Sequence, residues 1–153
     1  EKNAAEAIRK INQSGYLAIV VTNQPVIARG EASVEQLQEI HNKMETLLGN
    51  EGAYVDAIYY CPHHPDKGYA GEVEALKIDC DCRKPKPGML LQAARDYNIA
   101  LSQSWMVGDS KRDILAGNAA GCRTAYLGSP EQAYGQSVTF ASLKEFTDSI
   151  MKG

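Results

Sequence analysis

The 153 residues suit a single domain, and their apolar fraction of 44% and charged fraction of 23% are ordinary for a soluble globular protein. The net charge of −3 argues against a general nucleic-acid or membrane-surface binder, because both classes carry a basic excess. No apolar run approaches the roughly 18 residues of a membrane span.

The first half of the chain alternates helical and strand patterns. Residues 3–14 are predicted to form an amphipathic helix, and the β-branched run at 16–23 predicts a strand that is covered on both faces. Apolar residues at helical spacing predict a second helix behind a capping box of Ser33 and Gln36. The run AIYYC at 57–61 predicts the second strand.

The second half resumes the alternation after an irregular connection. Residues 62–87 are rich in Gly and Pro and form an unusually long link, which predicts a functional loop. The elements predicted beyond it are a helix from Pro87 to about Tyr97, a strand at 104–109, a helix at 111–120, a strand at 122–128 and a C-terminal helix capped by Ser142 and Glu145.

This order of elements predicts an α/β fold, a Rossmann-like parallel sheet with helices on both faces. In such sheets ligands bind beyond the carboxyl ends of the strands. Three polar clusters fall at or just beyond predicted strand ends: TNQ at 22–24, RKPK at 83–86 and GDSKRD at 108–113. The sequence therefore predicts a single rim that carries hydroxyl, amide, cationic and carboxylate groups.

Three cysteines and one histidine around the long loop match the donor set of a closed structural zinc site. The predicted ligands are Cys61, His63, Cys80 and Cys82. His64 competes with His63, and redox pairing or chance placement are the alternatives. No secretory signal pattern is apparent, so we expect a reduced cytoplasmic setting, where clustered cysteines more often bind metal than form disulfides. Cys122 is expected to be a buried small apolar residue outside this site.

The loop leads directly into two cations, Arg83 and Lys84. The Arg83 guanidinium suits phosphate oxygens and Lys84 offers a compact charge, although most such pairs are solvated surface residues. A zinc knot beside them would hold both in place. Thr22 and Asn23 end a strand with polar groups that could meet the same anion.

Asp109 ends the third predicted strand close to these cations. A carboxylate in that position suits Mg²⁺, which proteins typically hold by few carboxylates together with phosphate oxygens. The alternative is that Asp109 is the N-cap of the following helix. Asp113 follows one helical turn later, and the sequence leaves its role open.

Together these motifs resemble the haloacid dehalogenase (HAD) phosphatase superfamily in its small-lid IIIA branch. VVTNQ at 20–24, CRKPKPG at 82–88 and MVGDSKRD at 106–113 resemble its second, third and fourth motifs. Within that branch, CPHHP at 61–65 and IARG at 27–30 resemble the D-glycero-D-manno-heptose bisphosphate phosphatase family. The histidinol-phosphatase domain shares the zinc loop but not IARG, and histidinol phosphate is the alternative substrate.

The resemblance implies magnesium-dependent hydrolysis of a sugar phosphate through an aspartyl-phosphate, in the synthesis of the ADP-heptose precursor of lipopolysaccharide. It assigns Thr22 and Lys84 to phosphoryl stabilisation and Asp109 to Mg²⁺. Substrate-binding residues by the same resemblance are Asn23, Gln24, Arg29, Arg83, Ser110 and Lys111. The expected partner is a small sugar phosphate, with no nucleic acid or membrane, in a monomer to which a further domain could be fused.

One family element has no counterpart in the sequence. The strand that ends in Asp-x-Asp and supplies the nucleophile is missing, because DCD at 79–81 lies inside the zinc loop. We therefore expect an N-terminally truncated domain that does not turn over by itself; a catalytically dead phosphate-binding module is the alternative. Truncation predicts an open slot about 10 Å wide, two strand spacings, between residues 17–22 and 104–109.

Overall fold

In a computed structural model of the chain, the residues that the structure describes are 3–23, 34–61 and 82–151. The strands are β1 (Ile19–Asn23), β2 (Ala57–Cys61), β3 (Trp105–Gly108), β4 (Arg123–Leu127) and β5 (Val138–Phe140). The helices are α1 (Ala4–Gln13), α2 (Val34–Gly49), α3 (Gly88–Tyr97), α4 (Lys111–Ala120) and α5 (Leu143–Ile150), with a 3-10 turn at Leu101–Gln103.

Two of the described helix ends illustrate the local chemistry that favours them. Ser142 caps α5 by accepting a hydrogen bond from the Glu145 N–H, as the sequence predicts. α4 ends at Gly121, whose φ of 88° is the left-handed conformation that glycine adopts without strain. None of the helices in the described ranges is long and apolar enough to cross a membrane. The predicted cap at Ser33 lies outside those ranges.

All strand pairs among the described residues are parallel, which confirms the predicted α/β class. β1 pairs with β2 from Ile19 opposite Ala57 onwards, and β3, β4 and β5 form a second sheet in that order. The sequence missed β5 because its three residues are too short to show a periodic pattern. The two sheets place the ends of β1 and β3 on one side of the fold.

β1 and β3 do not pair with each other among the described residues. A cavity of about 640 Å³ lies between them, lined by the three β1 residues Ile19, Val20 and Val21 and by all of β3. Its lining also includes Lys84 and Asp109 at one end. The structure thus contains the open region that the sequence predicts, while the 10 Å width and the identity of a missing strand stay predictions.

The structure corrects the expectation that the strand predicted at 16–23 is covered on both faces. Leu17 is 46% exposed and lies before β1, which is itself half-buried along its whole length. The strand begins at Ile19, and just before it the Ala18 N–H donates to the Asp56 carboxylate (2.7 Å). An apolar run indicates that a strand can be buried on both faces, but neighbouring elements must be present to bury it.

The core that supports β3 and β4 packs directly against α4. Gly117 of α4 faces Met106 and Thr124, and a Cβ at that position would stand 2.6 and 2.7 Å from their side-chain atoms. Thr124 is fully buried, so neither neighbour has open space into which to move. The missing side chain of Gly117 therefore allows the helix to lie close to the sheet.

We expect Gly117→Ala to lower the free energy of unfolding by roughly 1–3 kcal/mol, because overpacking outweighs the gain in helix propensity. Gly49→Ala is the matched control, since a Cβ at Gly49 meets nothing within 4 Å. Chemical denaturation of both variants measures the difference. Equal stability of the two variants would contradict the close approach.

Candidate active site at the strand ends

The site is built around Lys84, in the turn that precedes α3. The turn is closed by a hydrogen bond from Lys86 N–H to the Arg83 carbonyl (2.9 Å), and its Lys84–Pro85 peptide bond is cis. Thr22 and Asn23 end β1 beside this turn. The structure therefore brings the first two predicted polar clusters together at this turn, and the third joins them through Asp113.

The Asn23 side chain holds the backbone of Lys84 at both polar groups. Its Nδ2 donates to the Lys84 carbonyl (3.2 Å), and its Oδ1 accepts from the Lys84 N–H (3.0 Å). The amide thus continues the hydrogen-bonding edge of β1 across to the turn. Asn23 was predicted to bind substrate, whereas here both ends of its side chain are engaged by the protein.

The Lys84 ammonium is anchored separately from its backbone. Its Nζ donates to the Asp113 carboxylate (2.6 Å) and to the Val21 carbonyl (3.2 Å). The two side chains of the ion pair are only 13% and 8% exposed. A buried pair of this kind is costly to break, by roughly 3–5 kcal/mol when one partner is removed, because the other charge stays buried.

Asp113 is itself fixed at the start of α4. Ser110 Oγ accepts from the Asp113 N–H (3.3 Å), and Asp113 Oδ2 accepts from the backbone N–H of Ser110 (3.2 Å), which forms a capping box. Ser110 rather than Asp109 is therefore the N-cap, which removes the alternative that the sequence left for Asp109. Gly108 allows this arrangement, because a Cβ there would overlap the Asp113 carboxyl group.

The other predicted rim residues lie around this centre. Thr22 is half-buried, and its hydroxyl donates to the Asn23 carbonyl (3.3 Å). Asp109 and Lys111 are exposed, and Arg83 is half-buried. The predicted substrate residues Gln24 and Arg29 lie outside the described residues.

Asp113 is the residue that sequence reasoning placed without a role. A usable signal was present, since Ser110 followed three positions later by an acid just before an apolar stretch is a capping-box pattern. That signal predicts the cap but not the ion pair. Lys84 lies 29 positions away in sequence, and only the folded chain brings it to Asp113.

Only two of the four predicted zinc ligands lie in the described residues, so the zinc site stays a prediction. Cys61, buried at the end of β2, is joined to Cys82 by a disulfide, whereas zinc would bind both as thiolates. The same pairing brings together two of the four predicted ligands across 21 positions. His63 and Cys80 lie outside the described residues, and within the described ones no cluster of three or more potential metal ligands is found.

Cys122 lies outside the predicted zinc site. Burial raises the pKa of its thiol, and the side chain packs against the core formed by Leu90 and Met106.

The helix α3, which follows the Lys84 turn, is joined to β2 by a hydrogen bond from the Tyr59 hydroxyl to the Asp96 carboxylate (2.5 Å). This hydrogen bond to a carboxylate raises the pKa of Tyr59 to about 12.

The geometry combines a fixed cation with accessible groups of both signs. Lys84 is held by the protein, while Asp109 is exposed on the same edge and lines the end of the cavity. An ammonium has three donors, and two of those on Lys84 have acceptors among the described residues. The edge is therefore suited to an anion that is accompanied by a hard divalent cation.

Comparison with known proteins agrees with these motifs. A family model described as HAD-hydrolase-like matches residues 81–132. A D-glycero-beta-D-manno-heptose-1,7-bisphosphate 7-phosphatase of Pasteurella multocida is 46% identical over 122 residues, which are 80% of this chain and 64% of the relative. The namesake of Yersinia pestis is 40% identical over 146 residues, 94% of this chain and 76% of the relative.

A solved structure has the same fold. The D,D-heptose 1,7-bisphosphate phosphatase from B. bronchiseptica, complexed with magnesium and phosphate, superimposes with a TM-score of 0.80 at 33% identity. The match covers 97% of this chain and 81% of that one. The chain thus spans just under two thirds of the Pasteurella relative's length and about four fifths of this solved structure.

The Tyr59–Asp96 contact predicts a pH dependence. Because the folded pKa of Tyr59 lies above the unfolded value of 10.0, this contact contributes full stability below pH 10 and loses it as the pH rises towards 12. Asp96→Asn should lower the pKa of Tyr59, as followed by NMR of ¹³Cζ-labelled tyrosine. Asp148→Asn, an exposed carboxylate elsewhere, is the control. An unchanged Tyr59 titration in Asp96→Asn would contradict this cause.

Proposed function

Because this chain belongs to the HAD-like family of the heptose bisphosphate phosphatases, we propose that its domain catalyses magnesium-dependent hydrolysis of a sugar phosphomonoester. The substrate proposed is D-glycero-D-manno-heptose 1,7-bisphosphate, cleaved at the 7-phosphate in ADP-heptose and lipopolysaccharide precursor synthesis. The names of relatives at 40–46% identity support this substrate over histidinol phosphate.

The observation that carries the proposal is the anchored ammonium of Lys84 at the strand ends. A preorganised cation stabilises charge that develops on phosphoryl oxygens, and it does so without reorganising during the reaction. Lys84 is held in place through its backbone and through its Nζ before any ligand arrives. Thr22 stands at the end of the adjacent strand, where its hydroxyl can reach the same phosphoryl group.

The residues present also fit a magnesium ion. Asp109 is exposed at the end of β3 and, among the described residues, makes no side-chain hydrogen bond that competes with a metal. Asp113 is less suited, since its carboxylate is already engaged by Lys84 and Ser110. A bound Mg²⁺ would supply charge neutralisation of the phosphoryl oxygens. Asp109 is therefore the proposed ligand, and Arg83 a proposed substrate contact.

For the nucleophile we propose a carboxylate on a strand that enters the cavity between β1 and β3 from sequence before Glu1. Support comes from the unpaired arrangement of these two strands and from the apolar residues that line the cavity. A self-contained binding module would instead join residues 17–22 to 104–109 directly. No such pairing occurs among the described residues, which favours the enzyme over the module.

We also propose structural zinc for the reduced protein. Its support is the donor chemistry of the four predicted ligands and the adjacency of the Cys61 and Cys82 sulfur atoms at the end of β2. Zinc requires these thiols in reduced form, so the proposal keeps the cytoplasmic setting. The expected partner remains a small sugar phosphate bound by a monomer.

Protein purified under reducing conditions, without chelator, should carry about one zinc per chain by metal analysis. Cys82→Ser should lose zinc and unfold at lower temperature, because binding of structural zinc contributes to folding. Cys122→Ser, which changes a cysteine outside the predicted set, should keep the metal. Zinc-free reduced protein, or equal zinc loss in both variants, would count against the site.

The kinetic tests use the full chain, which here means a protein that includes the proposed upstream strand. In it, Lys84→Ala should lower kcat for the heptose bisphosphate by about 10²–10³-fold, because the ammonium stabilises charge in the transition state. Arg83→Ala should mainly raise KM and change substrate preference. Lys144→Ala is the control: it removes an exposed lysine of α5 that pairs with Asp148, and it should leave the steady-state kinetics unchanged. Arg83→Ala with equal losses towards every phosphomonoester would contradict the division of roles.

A further inference from the structure

We propose that Asn23 and Asp113 are positioning residues for Lys84: Asn23 sets its backbone and Asp113 sets its ammonium. This assigns a role to Asp113, which sequence reasoning left open, and gives Asn23 a role other than substrate contact. The proposal rests on the proposed function only where turnover is measured. Its other consequences concern the described residues alone.

The first step concerns the backbone of Lys84. Asn23 Nδ2 and Oδ1 occupy the Lys84 carbonyl and N–H, at 3.2 and 3.0 Å. An Asn amide has two donor hydrogens and two acceptor lone pairs, and these two bonds use one of each to hold both ends of the amide against the Lys84 backbone. Asn23 therefore fixes where the Lys84 side chain leaves the turn.

The second step concerns the end of the Lys84 side chain. Four methylene groups would let an unrestrained ammonium sample many positions, and holding it requires a partner at its tip. Asp113 supplies that partner at 2.6 Å, in surroundings where both side chains are nearly covered. The Val21 carbonyl adds a second acceptor at 3.2 Å, so the ammonium is directed by two elements.

The third step concerns what holds Asp113. Its other oxygen accepts from the Ser110 N–H and Oγ, at 3.2 and 3.0 Å, so the carboxylate is immobilised by the first turn of α4. Gly108 leaves the space that the carboxyl group occupies. The Asp113 carboxylate thus contacts three segments: it lies against Gly108 at the end of β3, accepts from Ser110 at the start of α4 and pairs with Lys84 in the turn.

The chain contains matched controls for both contacts. The Asn12 side chain binds the backbone of Tyr54 through the same two hydrogen bonds: its Nδ2 donates to the Tyr54 carbonyl (3.0 Å), and its Oδ1 accepts from the Tyr54 N–H (3.1 Å). Asp148 pairs with Lys10 and Lys144, but these side chains are 38–46% exposed. The controls repeat each chemical change away from Lys84.

The backbone arm measures hydrogen exchange of the Lys84 amide by NMR. Asn23→Ala should accelerate this exchange on the order of tenfold, because the N–H loses its acceptor. Asn12→Ala should accelerate exchange at Tyr54 and leave Lys84 unchanged. Unchanged Lys84 exchange in Asn23→Ala would overturn the role of Asn23.

The side-chain arm observes the Lys84 ammonium directly in ¹⁵N-lysine-labelled protein, with Lys84→Met identifying its signal. Hydrogen-bonded ammonium protons exchange slowly, so Asp113→Asn should speed their exchange on the order of tenfold, while Asp148→Asn should not. Should Asp113→Asn lower Mg²⁺ affinity and leave the ammonium signal unchanged, Asp113 would be a metal ligand and the proposal would be overturned.

A stability comparison covers the possibility that Asp113→Asn folds poorly. Lys84→Met leaves the Asp113 carboxylate buried without its counter-charge, so its thermal midpoint should fall. Adding Asp113→Asn to Lys84→Met should raise the midpoint again, because the buried charge is removed. A double variant no more stable than Lys84→Met alone would overturn the pairing.

The kinetic arm distinguishes failure of the inference from failure of the proposed function. In the full chain, Asp113→Asn should lower kcat on the order of tenfold with little change in KM, since Lys84 loses its position but the substrate contacts remain. If the unsubstituted full chain hydrolyses no phosphomonoester, the proposed function fails, and the exchange and stability arms still decide the positioning roles. A kcat unaffected by Asp113→Asn in an active enzyme would overturn the role of Asp113.

Discussion

The buried ion pair between Lys84 and Asp113 is the interaction on which the arrangement of the site depends. It joins the turn before α3 to the first turn of α4, two segments that share no backbone hydrogen bonds with each other among the described residues. Both charges are largely removed from water, which makes the pair worthwhile only because hydrogen bonds from Ser110 and to Val21 satisfy the remaining polar atoms. The pair therefore contributes more to fixing the position of the Lys84 ammonium than to the net free energy of unfolding.

Small residues allow the surrounding elements to come close enough for this pair to form. Gly108 ends β3 without a side chain, so the Asp113 carboxyl group can lie over the strand end. Gly117 lets α4 approach β3 and β4, where a larger residue would meet Met106 and Thr124. α4 thus lies close to the sheet, in a position from which Asp113 reaches Lys84. The helix α4 therefore carries both the close packing contact at Gly117 and the charged partner of Lys84, Asp113.

The open region between β1 and β3 and the cysteine pair at the end of β2 both adjoin this centre, because Lys84 lines the first and follows Cys82 by two residues. The first is lined by apolar strand residues and ends at Lys84 and Asp109, so an element entering it would bring its terminal groups to the rim. The second joins β2 to the residue just before Arg83. Whether as a disulfide or as zinc thiolates, Cys61 and Cys82 tether the turn that carries the cations. The site thus takes its shape from links between elements distant in sequence.

The sequence by itself determined the α/β class, the described helices and four of the five described strands, because periodicity and capping are local properties. It also identified Lys84, Asp109 and the cysteines as chemically distinctive, since their residue types and spacing are unusual. Tertiary structure alone decided that β1 stays half-buried and that the side chains of Asn23 and Asp113 turn inward to Lys84. The two contacts to Lys84 span 29 and 61 positions, and no local pattern encodes which of several polar side chains will find a buried partner.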